Sequence, residues 1–437
     1  MEIASVPAVV ACVILTLGLI IVGCPIFISL GVSSVVGVLI ARGTGGLMQV
    51  PLAMYAQINS FVLVAIPLFI LMGEILSYTG IASDIYEFFS RWTYRIGGGL
   101  AIASIYTSAL FGALCGVSIA GVAAIGPLAI PEMLRRNYDH KLAAGAVTAS
   151  GALSVLIPPS IVLIVYGSIA FASVGALFMG GIIPGLFLAT AMAVYVVIRV
   201  RLNRSLAPPT YETLTWKQMF APLARLWPAL MIVLLVLGSI YGGVATPTEA
   251  ASMGVVGSLL IGLFVYKSRG WKTYLNMLTA ATHATVSVLA IAACALAFGN
   301  FLSVMRIPEV MTMMAMALPI PPIGVIFIFM LFLVVGGMFI DAISLILVTT
   351  PILLPTILAM GFDPIWYGII LTLNIEMAVI TPPVGLNLYT MKAVAPYLDI
   401  GDIIKGSLPY VAIEFAVLSV VILVPQIALW LPSMMRG

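Results

Sequence analysis

Apolar residues along this chain run in long unbroken blocks instead of alternating with polar ones, and short clusters of Gly, Pro and charge separate the blocks. A block of roughly 20 apolar residues is what an α-helix needs to cross ~30 Å of hydrocarbon. Backbone amides in lipid must be satisfied inside the protein, so only helices or a closed barrel can span. The absence of period-two alternation selects helices. The pattern predicts full spans near 6–23, 25–41, 58–78, 138–170 and 173–199. A polar stretch from Arg199 to Arg225 follows, then spans near 227–243, 247–267, 276–303, 364–392 and 406–430.

Two further apolar blocks, Leu100 to Pro131 and Pro322 to Pro355, are interrupted near the middle, the first over Gly112 to Ser118 and the second over Gly336 to Asp341. Each half-block is too short to span, so both are expected to be re-entrant hairpins that enter and leave by one face. Ile81 to Ile96 sets Asp84, Glu87, Arg91 and Arg95 against Ile85, Phe88, Phe89 and Trp92, the pattern of a helix lying in the interface plane. A Met-rich stretch from Arg306 to Leu318 holds the matching place before the second hairpin.

Charge sorts this topology. Lys and Arg concentrate on the cytoplasmic side of short loops. With the Arg199–Arg225 loop inside, 15 of the 18 Lys and Arg fall inside and 3 outside (Arg42, Arg306 and Arg436). Counting either hairpin as a single crossing destroys that sorting. Both termini are therefore expected outside. The first block has no basic flank and no small-residue cleavage pattern, so it reads as a retained helix.

The strongest internal signal is self-similarity. Pro127 to Pro131 (Pro-Leu-Ala-Ile-Pro) precedes Pro158-Pro159, and Pro351 to Pro355 (Pro-Ile-Leu-Leu-Pro) precedes Pro382-Pro383. The spacing from first proline to Pro-Pro is 31 residues in both cases, and Pro25 and Pro247 open spans at a similar offset. Five crossings per half, an odd number, turn the second copy upside down. The expected fold is an all-α polytopic membrane protein of two inverted repeats, with two re-entrant helical hairpins and two helices broken at Pro-Pro pairs. Repeat one is residues 1–200, a cytoplasmic basic loop is 201–226, and repeat two is 227–437. Such repeats with discontinuous helices build secondary transporters around a midplane site.

Composition narrows the chemistry. Of 437 residues 63% are hydrophobic and 8% charged, against about 25% charged in soluble domains. A net charge of +3 does not suggest nucleic acid, and the four cysteines stand singly in apolar segments. The two histidines, His140 and His283, are far apart, and no Gly-rich phosphate loop is present, so an enzyme or ATPase reading finds no support. Proline frees the carbonyl four residues earlier, which would release Ser154, Val155, Ala378 and Val379. Carbonyls and hydroxyls there suit a small hard cation such as sodium, and half-helix N-termini favour an anionic solute. Ser154, Ser160 and Thr381 stand beside the breaks, Cys115, Gly116, Ser118, Gly337 and Asp341 at the tips, and Asn387 just beyond Pro382-Pro383. Intramembrane carboxylates are functional candidates by default: Asp341 at a break, Glu376 as ligand or interhelical bond, with structural roles for Glu74, Glu249 and Glu414.

Phe111 to Gly126, Leu156-Ile-Pro-Pro-Ser160, Gly243 to Ala251 and Thr381-Pro-Pro-Val-Gly-Leu-Asn-Leu388 resemble the large membrane subunit of tripartite ATP-independent periplasmic (TRAP) transporters. The resemblance spans essentially the whole chain. It implies an elevator-type architecture of the ion-transporter superfamily in a bacterial inner membrane. It also implies a periplasmic substrate-binding protein and a small four-helix membrane subunit, here expected on a separate chain. Two sodium sites are implied: Cys115, Gly116, Ser118, Ser154, Ile157 and Pro159 for one, and Gly337, Ala378, Thr381 and Val384 for the other, with Asp341 added from its tip position. Family members often carry Ser where Cys115 stands and Gly where Ala378 stands. No other cofactor is implied. The solutes implied are small carboxylates such as C4-dicarboxylates, sialic acid and sugar acids, with Ser160 and Asn387 as candidate substrate contacts. Two rivals remain at this point: a stand-alone sodium- or proton-coupled anion transporter of similar fold, and a membrane anchor of a respiratory or biosynthetic enzyme.

Overall fold

The computed structural model describes residues 5–208, 214–267 and 270–434. Arg269 and Arg436 of the charge count, and positions 209–213 of the basic loop, lie outside the described residues. In the first half α1 (Ser5–Ile21) packs on α2 (Ile26–Arg42), and α3 (Gln49–Ile58) leads into α4 (Ala65–Ser77). The amphipathic α5 (Ile81–Thr93) precedes a hairpin of α6 (Gly99–Cys115) and α7 (Ser118–Arg135). Next come α8 (His140–Ser150), the single turn α9 (Leu153–Leu156), α10 (Ile161–Ala170) and the long α11 (Val174–Leu202). A short α12 (Trp216–Phe220) lies in the linker.

The second half repeats the order. It runs through α13 (Leu223–Tyr241), α14 (Pro247–Leu260), α15 (Trp271–Val304) and α16 (Ile307–Ala317). Its hairpin is α17 (Pro322–Gly337) with α18 (Ala342–Ala359), its broken helix α19 (Pro364–Val379) with α20 (Leu386–Val394). It ends in α21 (Ile400–Leu423) and α22 (Gln426–Ser433). No strand occurs among the described residues. Seven helices there are long and apolar enough to cross a membrane, or up to nine if each bent pair is one span. Length alone admits α7 and α18 to that count. Each, however, follows an apolar arm after only two or four residues, which makes a hairpin.

Local chemistry sets the helix starts. The Asp139, Asp363 and Asp399 carboxylates and the Ser173 hydroxyl accept backbone N–H bonds at the starts of α8, α19, α21 and α11. Thr246 and Glu249 form a reciprocal capping box at α14, a structural role for Glu249.

Boundaries differ from expectation in three places. The third span begins earlier, at Gln49, and bends through 56° at Asn59-Ser60, whereas α15 runs straight through 34 residues. The last span ends at Leu423, because Pro425 cannot continue it and starts α22 instead. The first hairpin tip is only Gly116-Val117, since α6 persists through Gly112 to Cys115.

The two halves interlock. Helix α15 lies along α2, α3 and α4, while α14 packs on α4. Farther along the chain, α8 crosses α21 backbone to backbone. A Cβ on Gly145 would run into the Gly406 carbonyl, and one on Gly406 into that of Lys141. Small residues permit such approach where lipid supplies no hydrophobic drive between helices.

Candidate functional site

Both hairpin tips and both helix breaks meet at one cavity of about 100 Å³. Its wall takes Gly116 to Ile119 from the first tip and Asp341 to Ile343 from the second. Val155, Ile161 and Val162 come from the first break, Val379, Leu386 and Asn387 from the second, and Glu376 from α19. Four helices, α7, α10, α18 and α20, begin here. Two of those starts are self-satisfied: the Ser160 hydroxyl accepts from Leu163 N (3.3 Å), and the Asp341 carboxylate accepts from Ser344 N (3.0 Å) and the Ser344 hydroxyl. The starts behind Val117 and Gly385 have no side-chain cap, so their first amides remain available to a ligand.

Around the first break the packing is tight. A Cβ on Gly116 would stand 2.6 Å from the Pro159 carbonyl oxygen, so the tip rests directly on the break. Gly116 itself takes φ +66, a left-handed conformation that favours glycine. Ser154 is fully buried and donates to the Ser108 carbonyl at 3.3 Å. No hydrogen bond reaches the Ser154 or Val155 carbonyl among the described residues, as the Pro158-Pro159 pair predicts; Ile157 N turns back to Leu153 O. Cys115 is different. It packs against Gly73 of α4, with its thiol 3.7 Å from the Gly73 carbonyl and 3.8 Å from the Ser77 hydroxyl, away from the cavity.

Around the second break, Gly337 faces the Ala378 methyl, 2.6 Å from where its own Cβ would be. The expected free carbonyl at Ala378 is corrected: it accepts from Thr381 N at 3.0 Å, because the chain leaves α19 in a tight turn. The Val379 carbonyl has no such donor. Thr381 donates its hydroxyl to the Met377 carbonyl (2.6 Å), which leaves the oxygen's lone pairs unused. Val384 is half-buried just before Gly385, whose φ is +58.

Asn387 joins the halves. Its Nδ2 donates to Ser118 Oγ at 2.8 Å and to the Thr148 carbonyl at 3.4 Å, while Oδ1 has no partner. Ser160, by contrast, is fully buried and is not on the cavity wall. Glu376 is on the wall and 2% exposed. Ser118 is a polar neighbour of its carboxyl group; the Ser118 oxygen accepts from Asn387, and neither Glu376 oxygen meets hydrogen-bond geometry among the described residues. Among the described residues the Asn374 and Glu414 side chains are likewise buried without hydrogen-bond partners. The wall holds two acidic residues, Asp341 and Glu376, and no Lys, Arg or His. Sequence reasoning did not reach Ile161, Val162 and Thr148 as parts of this site, since apolar or mid-helix residues carry no local signal of a wall.

A model of the family described as "Tripartite ATP-independent periplasmic transporter, DctM component" matches residues 13–427. The C4-dicarboxylate TRAP transporter large permease protein DctM of Vibrio cholerae is 35% identical, with 98% of each chain covered. The ectoine TRAP transporter large permease protein TeaC of Halomonas elongata is 33% identical over 95% of this chain and 96% of that one. Among solved structures the YdaH transporter of Alcanivorax borkumensis shares the fold, at TM-score 0.63 and 14% identity over 87% of this chain and 88% of that one.

Proposed function

Since the chain belongs to the family of the DctM component of tripartite ATP-independent periplasmic transporters, we propose that it imports a small organic anion on a sodium gradient. In this reading a periplasmic binding protein delivers the solute and a separate small four-helix subunit braces the scaffold. Relatives named for C4-dicarboxylates and ectoine support a small carboxylate-bearing solute.

One observation carries the reading: four helix starts and two acidic side chains share one cavity that has no basic residue. Uncapped N-termini attract a carboxylate, yet the Asp341 carboxylate repels it. Cations bound at the tips offset that repulsion, so solute and ion bind best together. Such linkage is what coupling requires. Sodium site one would use Gly116, Ser118, Ser154, Ile157 and Pro159, and site two Gly337, Asp341, Ala378, Thr381 and Val384. Cys115 would contribute backbone only. Each charge moved through 100 mV supplies about 2.3 kcal/mol.

The hairpins and broken helices would travel as a unit past a scaffold of α1–α4 and α13–α15. The division into inverted repeats at 1–200 and 227–437 about the loop 201–226, with both termini periplasmic, belongs to the same reading. Proteoliposomes holding the complete transporter and its binding protein test it. Thr381→Val and Ser118→Ala are each expected to raise the sodium concentration for half-maximal uptake about five-fold, the loss of one weak ligand. Unchanged sodium dependence in both would remove the assigned sites.

A further inference from the structure

A second cavity, of about 210 Å³, opens between the end of α11 and the starts of α8 and α21. Lys141, Arg199 and Lys405 line it, one from each helix, with Asp139 as the only acid on its wall. Asp139 is already engaged, because its carboxylate accepts from Lys141 N and Leu142 N at 3.0 Å each. Lys141 reaches Asp402 only at 3.9 Å, and the Arg199 and Lys405 side chains have no hydrogen bond or ion pair among the described residues.

The inner wall adds Tyr410. It is fully buried, its ring stands edge-on to Tyr195 with centroids 5.1 Å apart, and its hydroxyl has no partner. Arg199 lies within electrostatic reach of that hydroxyl. An enclosed, unpartnered hydroxyl behind three cations is an incomplete polar network, which an anion with several acceptor oxygens would complete.

We propose that this cavity binds the phosphodiester headgroup of an anionic phospholipid. The phosphate would sit among Lys141, Arg199 and Lys405 and accept from the Tyr410 hydroxyl. Basic pockets between transmembrane helices hold such headgroups. A lipid source is favoured over a free anion because exposed apolar side chains continue from the cavity along both flanking helices: Ile198 and Val194 on α11, and Leu408 and Phe415 on α21. Acyl chains can follow those rows. The charge-sorted topology would place this cavity at the cytoplasmic leaflet; binding itself depends neither on that topology nor on sodium coupling.

The headgroup would act as a clasp. Helices α11 and α21 come from different halves, and α21 packs closely on α8, so one phosphate would tie three helices together.

Delipidated full-length protein in neutral detergent, titrated with phosphatidylglycerol, phosphatidylcholine or inorganic phosphate, tests this by thermal unfolding. Ligands that bind only the folded state raise the midpoint. Phosphatidylglycerol is expected to raise it, and the other two to have little effect. The double variant Arg199→Gln/Lys405→Gln is expected to weaken phosphatidylglycerol binding about 30-fold. Tyr410→Phe removes one hydroxyl from a packed ring and is expected to weaken it about five-fold. If the double variant does not fold, Lys405→Gln, at an exposed position, and Tyr410→Phe carry the test. An equal shift from inorganic phosphate, lost in the same variants, would make this a free-anion site and overturn the lipid assignment. A phosphatidylglycerol shift undiminished in the variants, or no shift at all, would overturn the site.

Discussion

The two hairpin-and-break units share their spacing in sequence, but they are packed differently. At the first, Pro158, Pro159 and Ser160 are all buried, and three glycines of the hairpin, Gly112, Gly116 and Gly121, close on the broken helix. At the second, Phe339 at the tip is 58% exposed, Pro383 is exposed and Thr381 is only half-buried. Side chains stand at that contact: Gly337 meets the methyl of Ala378, and Leu345 reaches back toward Gly336 and Gly337. Glycine lets backbones touch, whereas a methyl and a leucine hold them apart. Equal spacing of prolines thus places the breaks but does not decide how tightly each is covered.

The largest test of this difference is paired substitution at the two hairpins. In Gly112→Ala the new methyl collides with the main chain of Ser154, which cannot swing aside, and a cost of about 3 kcal/mol is expected. Gly337→Ala meets another methyl, and about 1.5 kcal/mol is expected there. Denaturation midpoints of the purified variants would rank them, and the reverse order would abolish the contrast drawn here.

A smaller effect should appear where the units join. A double-mutant cycle over Ser118→Ala and Asn387→Leu reads the 2.8 Å bond between them, with about 1 kcal/mol of coupling expected. Zero coupling would mean that the first tip and the second break are independent.

The smallest effect concerns Cys115. Because its thiol faces Gly73 and Ser77 of α4, Cys115→Ser should leave the sodium dependence of uptake unchanged. A clear shift in sodium affinity would place a side-chain ligand at 115 and reopen the first site.

Much of the fold was legible before any coordinates. Span positions follow from runs of apolar residues, a local property that lipid enforces on each helix separately. The breaks at Pro158-Pro159 and Pro382-Pro383 follow from the missing proline N–H, again a local fact. The site was legible in part. Gly116, Ser118, Asp341 and Asn387 were named from their places at tips and breaks, and all four line the cavity. Ser160 and Cys115 were named on the same grounds, yet one serves as a helix cap and the other packs on a neighbouring helix.

The chain by itself determined an all-helical membrane protein, interrupted at two tips and two proline pairs, because hydrophobic length and missing donors act within a few residues. Tertiary structure alone decided that Ser118 meets Asn387 from 269 residues away, that Gly145 meets Gly406, and that the Glu376 and Glu414 side chains lie buried without hydrogen-bond partners among the described residues. Those outcomes depend on which helix faces reach one another, and no local spacing encodes that.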